Sequence, residues 1–159
     1  MKYSNAVARL FGLFVAGLVL AGSVSAHADD SRRCSLASVA GAYGFTTTGT
    51  IPAIGPVAAT GTFTQDSSGN LTGGQTRSLN GAIADETFTG TATVNSDCTG
   101  TDTIQVFQDG TPVRTSTLHV VYDDNTREAR AIFTSLVLQN GASLPSILTI
   151  EARKMFPRD

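Results

Sequence analysis

Few side chains in this 159-residue chain are equipped for catalysis, and their spacing decides what they could do. Asp85 and Glu86 are adjacent, so on a strand they point to opposite faces. Glu86 shares parity with Phe88, Ala92 and Val94 and is the better candidate for an inward carboxylate. Buried, it could carry a raised pKa and move protons. The reading preferred from sequence alone is nonetheless a bulge or strand end that leaves both acids in water. His119 has the side chain most often used as a general base or metal ligand. It stands alone among Thr115, Thr117 and Val121, where it is expected to be merely accommodated. Residue order does not exclude a Ser-His-Asp arrangement, but no nucleophile-elbow motif accompanies it. Glu86, His119 and Tyr122 are therefore the catalytic candidates.

Arg114 shares a strand face with Tyr122, and Glu151 with Arg153, while Arg130 opens a run through Ile132, Leu136 and Leu138. Ordinary cross-strand ion pairs would account for these charges. An inward cluster of Arg77, Glu86, Tyr122, Arg130 and Glu151 would instead make the polar floor of a ligand pocket. Arg77, Phe88, Arg130 and Glu151 are accordingly the ligand-binding candidates. No phosphate loop, zinc spacing, calcium loop or cofactor fingerprint occurs, so neither cofactor nor metal is expected.

The elements that must position these residues are strands. Turn signals recur at Ser68-Gly69-Asn70, Asn80-Gly81, Asp97 to Gly100, Asp109-Gly110, Asp123 to Asn125 and Asn140-Gly141. Asn-Gly and Asp-Gly supply the positive φ of tight hairpins. The runs between them alternate with period two and are rich in β-branched residues, above all in the chain's 22 threonines. Eight strands are expected, at approximately 42–50, 57–65, 70–79, 82–94, 101–108, 112–123, 128–139 and 146–155. The one helical turn is Ser35 to Ala40, capped by Ser35 and ended by Gly41. Ile51 to Pro56, with two prolines, is expected to be a rim loop. Eight short strands joined by hairpins leave two open edges unless they close, so the expected fold is all-β, a single antiparallel eight-stranded up-and-down barrel. A two-sheet β-sandwich is the alternative.

The N-terminus carries Lys2 and Arg9, an uncharged apolar run from Leu10 to Ala21, and the small-residue patterns Val24-Ser25-Ala26 and Ala26-His27-Ala28. This is the pattern of a secretory signal peptide over 1–28, cleaved after Ala26 or Ala28. The run is shorter than the roughly 20 residues of a bilayer span. A single barrel domain over 29–159 would remain, secreted or periplasmic and outside any membrane. Its nine basic and thirteen acidic residues give a formal charge of −4, with Lys154 the only lysine. Nucleic acid is not an expected partner, since that needs a basic stripe. In an oxidising compartment Cys34 and Cys98 most simply form a disulfide.

Cys34-Ser35-Leu36-Ala37, Gly41-Ala42-Tyr43-Gly44-Phe45, Ser68-Gly69-Asn70-Leu71 with Gly73-Gly74, and Asn95-Ser96-Asp97-Cys98-Thr99-Gly100 together resemble a group of small secreted bacterial β-barrel proteins of uncharacterised activity. More loosely the chain is similar to calycin-type and allene-oxide-cyclase-like barrels. The lipocalin likeness implies that Tyr43 takes the place of a Trp on the first strand, and that Arg153 or Lys154 packs over its ring. The cyclase likeness implies a barrel that folds a flexible substrate with little acid–base equipment.

The leading expectation is an exported barrel that binds a small, largely apolar ligand in its interior or mouth. Alternatives are a structural or interaction module with a packed core, or a cyclase acting on a flexible apolar substrate. The sequence leaves catalysis and oligomeric state open.

Overall fold

Asn80-Gly81 and Asp109-Gly110 are complete two-residue hairpin loops, and all four residues have positive φ (50°, 89°, 51° and 75°). Mirror-image turns of this kind match the right-handed twist of the strands they join. The computed structural model describes residues 34–123 and 125–156, so the expected signal segment lies outside the described residues. Within them the order is α1 (Leu36–Val39), β1 (Gly41–Ile51), β2 (Gly55–Gln65), β3 (Asn70–Leu79), β4 (Ala82–Val94), β5 (Thr99–Gln108), β6 (Thr111–Asp123), β7 (Glu128–Leu138) and β8 (Ile147–Lys154). Every strand is antiparallel to its sequence neighbour. β1 pairs with β8 as well, from Tyr43 opposite Lys154 to Thr50 opposite Ile147, and closes the barrel. The expected barrel forms, and the two-sheet sandwich does not.

Alternation places one residue in two inside. Tyr43, Phe45 and Thr47 are buried on β1, Glu86, Phe88 and Ala92 on β4, and Ser116, Leu118, Val120 and Tyr122 on β6. The outer wall is largely threonine. Gly73 lies where side chains crowd the interior: a Cβ there would fall 2.6 Å from the Phe88 ring and 2.7 Å from Phe63. Its missing side chain lets both rings into the barrel.

Two local expectations differ from the structure. Gly41 does not cap the helix. The Ser35 hydroxyl accepts from the Ser38 amide and the Ser38 hydroxyl from the Ser35 amide, a reciprocal box, and Ala40 ends the turn. Gly41 is the first residue of β1. Ile51 to Pro56 is not wholly a loop either, because Ile51 pairs with Gly55 and Thr50 with Pro56. Proline lacks only the donor, and its carbonyl here accepts from the Asn80 amide (2.8 Å).

Candidate functional site

From one end to the other the interior is a sealed base, an aromatic chamber, a charged waist and an apolar mouth.

At the base, Cys34 and Cys98 are joined with their Cα atoms 4.9 Å apart, tying the leading segment to the β4–β5 turn. The Tyr43 hydroxyl donates to the Val39 carbonyl (2.6 Å). Lys154 Nζ donates to the Ser38 carbonyl (2.9 Å) and sits 5.7 Å from the centre of the Tyr43 ring. The ring–cation pair implied by the lipocalin likeness is thus made by Lys154, while the Arg153 side chain is 80% exposed. Desolvation lowers the Lys154 pKa. Val39, fully buried, closes the floor.

Above it, Phe45, Phe63, Phe88, Phe133, Leu71, Ile104, Val106, Leu118 and Ile150 enclose a cavity of about 60 Å³, which Asp102 and Ser116 also line. Neither polar group is satisfied: Asp102 Oδ1 and Ser116 Oγ are buried with no hydrogen-bond partner. Desolvation pushes the Asp102 carboxyl up to about 7. Tyr43 and Tyr122 are raised first by their own burial and then by the Asp102 charge. The Tyr122 hydroxyl donates to Gln65 Oε1 (3.1 Å).

The waist is built on Glu86, whose side chain is fully buried. Arg114 grips both carboxylate oxygens (2.7 Å each), Arg77 Nε donates to Oε1 (2.8 Å), and Gln75 Nε2 to Oε2 (2.7 Å). Desolvation alone would raise its pKa. The Arg114 hydrogen bonds and charge, helped by Arg77 and Gln75, outweigh that and hold it at about 2. This carboxylate is a permanent anion at neutral pH, unsuited to carry a proton. Two guanidinium groups share it, so the waist has a surplus positive charge, and Arg77 Nη1 is buried without a partner.

The mouth is a second cavity, about 120 Å³, walled by Ile51, Val57, Leu79, Leu136, Leu138, Leu144 and Leu148 and floored by Arg77 and Arg114. Leu144 reaches it because β7 pairs with β8 only as far as Ile132. Past that point the chain after β7 folds back, and the Leu144 amide donates to the Leu136 carbonyl (2.9 Å). Thr47, Gln75, Arg114 and Phe133 line both cavities, so the waist is their common partition.

Of the candidates, Arg77, Glu86, Phe88 and Tyr122 point inward. Only Arg77 and Glu86 touch each other; Phe88 belongs to the chamber and Tyr122 to the base. The preferred reading of Asp85 and Glu86 as a bulge in water is overturned. β4 is regular there, with Gln75 opposite Glu86 and Thr76 opposite Asp85. Arg130 and Glu151 stand opposite each other on the outer wall, where Arg130 pairs with Asp123. Arg130 does not share a face with Leu136 and Leu138. β6 pairs Thr117 with Ser135 but Leu118 with Phe133, leaving Thr134 as an extra residue that flips parity midway along β7. His119 is exposed on the outer face.

Sequence reasoning missed Asp102, Ser116 and Gln75. Asp102 was legible, because it shares parity with Ile104 and Val106 between positions held by Thr101, Thr103 and Gln105. An acid on the apolar face of a strand is the signal of an inward charge.

The fold and site define a closed eight-stranded antiparallel barrel with a polar partition between two cavities. The chain matches no protein-family model and no curated protein. Among solved structures it is similar to the redesigned β-barrel mFAP1 bound to DFHBI, at a TM-score of 0.52 and 16% identity, over 76% of this chain and 98% of that one. It is also similar to mFAP0, another redesigned barrel bound to DFHBI, at a TM-score of 0.48 and 17% identity, over 73% and 98%. At such identities the likeness to mFAP1 is one of fold.

Proposed function

We propose that the barrel binds one small, largely apolar molecule through its mouth and that Arg77 anchors an acceptor group of that molecule. The observation that carries this reading is Arg77, whose Nη1 is buried and unpartnered, on the floor of a cavity walled mainly by Leu, Ile and Val. A buried donor without an acceptor costs about 1–3 kcal/mol, and an occupant bringing an acceptor would remove that cost. The size is set by volume. A cavity of about 150 Å³ lined by Leu, Ile and Phe holds benzene, so mouth and chamber together suit about one ring with a short substituent. DFHBI bound to a redesigned barrel of the same fold is in keeping with this use of the architecture. In the same reading the chain is an exported binding protein, with the signal segment directing it to the periplasm or beyond and the disulfide marking an oxidising compartment.

Methyl NMR of the protein titrated with p-xylene and with 4-methylbenzoate tests the proposal. Both should shift the methyl signals of Leu136 and Leu148, the benzoate at about ten-fold lower concentration, and Arg77→Met should abolish that advantage. Methyl signals unmoved by either compound would refute ligand binding. A benzoate advantage that survives in Arg77→Met would refute the anchor.

A further inference from the structure

We propose that Asp102 and Ser116 form a second, inner subsite that takes a neutral hydroxyl group, a phenol above all, of the molecule seated in the barrel; this rests on the binding role proposed above. Ser116 lines the chamber with no exposed surface, and its Oγ is buried without a partner. Asp102 Oδ1 is buried beside the same cavity with no partner either. The two lie on adjacent strands: Asp102 is opposite Leu118 and Ser116 opposite Ile104, a diagonal offset of two residues on one face. Diagonal neighbours of this kind lie about 7–8 Å apart at Cα. A single oxygen atom between them can donate to one side chain and accept from the other. Ser116 donates and accepts, whereas an ionised carboxylate only accepts. A hydroxyl, being both donor and acceptor, fits that pair.

The waist decides against charged groups. Arg77 and Arg114 share the single carboxylate of Glu86. A cation bound for Asp102 would have to pass this surplus positive charge, and an anion would be held there by Arg77 Nη1. A neutral group meets neither obstacle. The chamber, about 60 Å³, is well under the roughly 150 Å³ that holds benzene. It therefore receives the hydroxyl end of the occupant, while the ring lies towards the mouth, against Phe133, which lines both cavities. Burial holds the Asp102 carboxyl at about 7. It therefore retains enough proton affinity to share a phenolic proton strongly without removing it, since an unperturbed phenol titrates near 10.

The closing experiment compares p-cresol with p-xylene, which has the same number of heavy atoms and a methyl group in place of the hydroxyl. Affinities are measured by methyl NMR or calorimetry at pH 8. Wild type should prefer p-cresol by about ten-fold or more, the factor expected when buried polar partners would otherwise go unmade. Ser116→Ala and Asp102→Asn should each cut the preference to two-fold or less while leaving p-xylene affinity within two-fold of wild type. Equal wild-type affinity for the two, as for a chamber whose polar groups are satisfied by water, overturns the inner subsite and leaves the mouth reading standing. Binding of neither overturns the mouth reading, and this inference with it. Far-UV circular dichroism establishes that each variant folds. If Ser116→Ala fails to fold, Ser116→Cys, which keeps the size and weakens the donor, takes its place with the same required outcome.

Discussion

Replacing Asp102 with Asn should reverse part of the protein's pH dependence. The carboxyl titrates near 3.8 when exposed and at about 7 in the folded chain, because burial penalises the charged form. Below about pH 3 it is largely protonated in both states and has little effect. As pH rises from about 3 to 7 the unfolded chain releases this proton and the folded chain keeps it, so stability falls; above 7 the loss is complete. At 1.36 kcal/mol per pH unit the full loss is about 4 kcal/mol. Asn has nearly the same shape and no charge, so the pH-dependent loss disappears. Its amide is no better partnered and costs about 1–3 kcal/mol at every pH. Urea unfolding of both proteins at pH 4 and pH 8 separates the two effects. Asp102→Asn should be slightly less stable than wild type at pH 4 and more stable at pH 8, the difference between the two comparisons being about 4 kcal/mol. In melting temperature this is a relative gain of roughly 10 °C for a domain of this size. If the difference between variant and wild type were the same at both pH values, Asp102 would not be an unpaired acid in an apolar chamber.

Glu86 behaves oppositely, since its folded carboxyl is held at about 2. Its contribution is present above the ordinary value of 4.5 and lost as pH falls towards 2, so acid unfolding should begin there and be absent from a Glu86→Gln series. That variant should also be about 3–5 kcal/mol less stable at pH 7 in urea titrations, because Arg77 and Arg114 then confront each other without their counter-ion. Cys98→Ser should lower stability by about 4 kcal/mol in non-reducing buffer, the chain-entropy figure for a bridge across 64 residues; unchanged unfolding would remove the bridge from the account. Gly73→Ala should fail to yield folded protein or melt far lower by circular dichroism, since Phe63, Phe88 and the Thr62 carbonyl all lie within 2.7 Å of the new methyl group.

Strand number and boundaries were readable because two independent signals coincide: turn residues that tolerate positive φ, and β-branched runs of period two between them. Asn80-Gly81 and Asp109-Gly110 carry both signals and set their hairpins without further information. Facing direction was readable only where the period is unbroken. β4 keeps one parity from Glu86 to Val94, so the grouping of Glu86 with Phe88 and Ala92 is seen in the structure. β7 changes parity at Thr134, and nothing in Phe133-Thr134-Ser135 marks the extra residue, so Arg130 was grouped with Leu136 across the bulge. Thr47 and Gln75 were invisible for another reason. Polar residues of their kind dominate the outer wall too, so only closure of the barrel shows that these two point inward.

The position of the ion cluster argues for a role beyond stability. A buried carboxylate with two guanidinium groups is no more stable than a well-packed apolar trio, and often less. The mouth and chamber on either side are already apolar. A continuous apolar core from Val39 to Leu148 would have been the simpler solution and would leave no unpartnered Arg77, Ser116 or Asp102. The cluster instead divides the interior into two small cavities and gives each a polar group with unmade hydrogen bonds. A divided interior of this kind discriminates among apolar molecules by where their polar atoms fall. Shape alone distinguishes such molecules by about 1–3 kcal/mol per methylene group, whereas a buried hydrogen-bonding group left unpaired can reject an analogue far more strongly. On the binding role proposed above, the selectivity would lie in Arg77 and the Asp102–Ser116 pair.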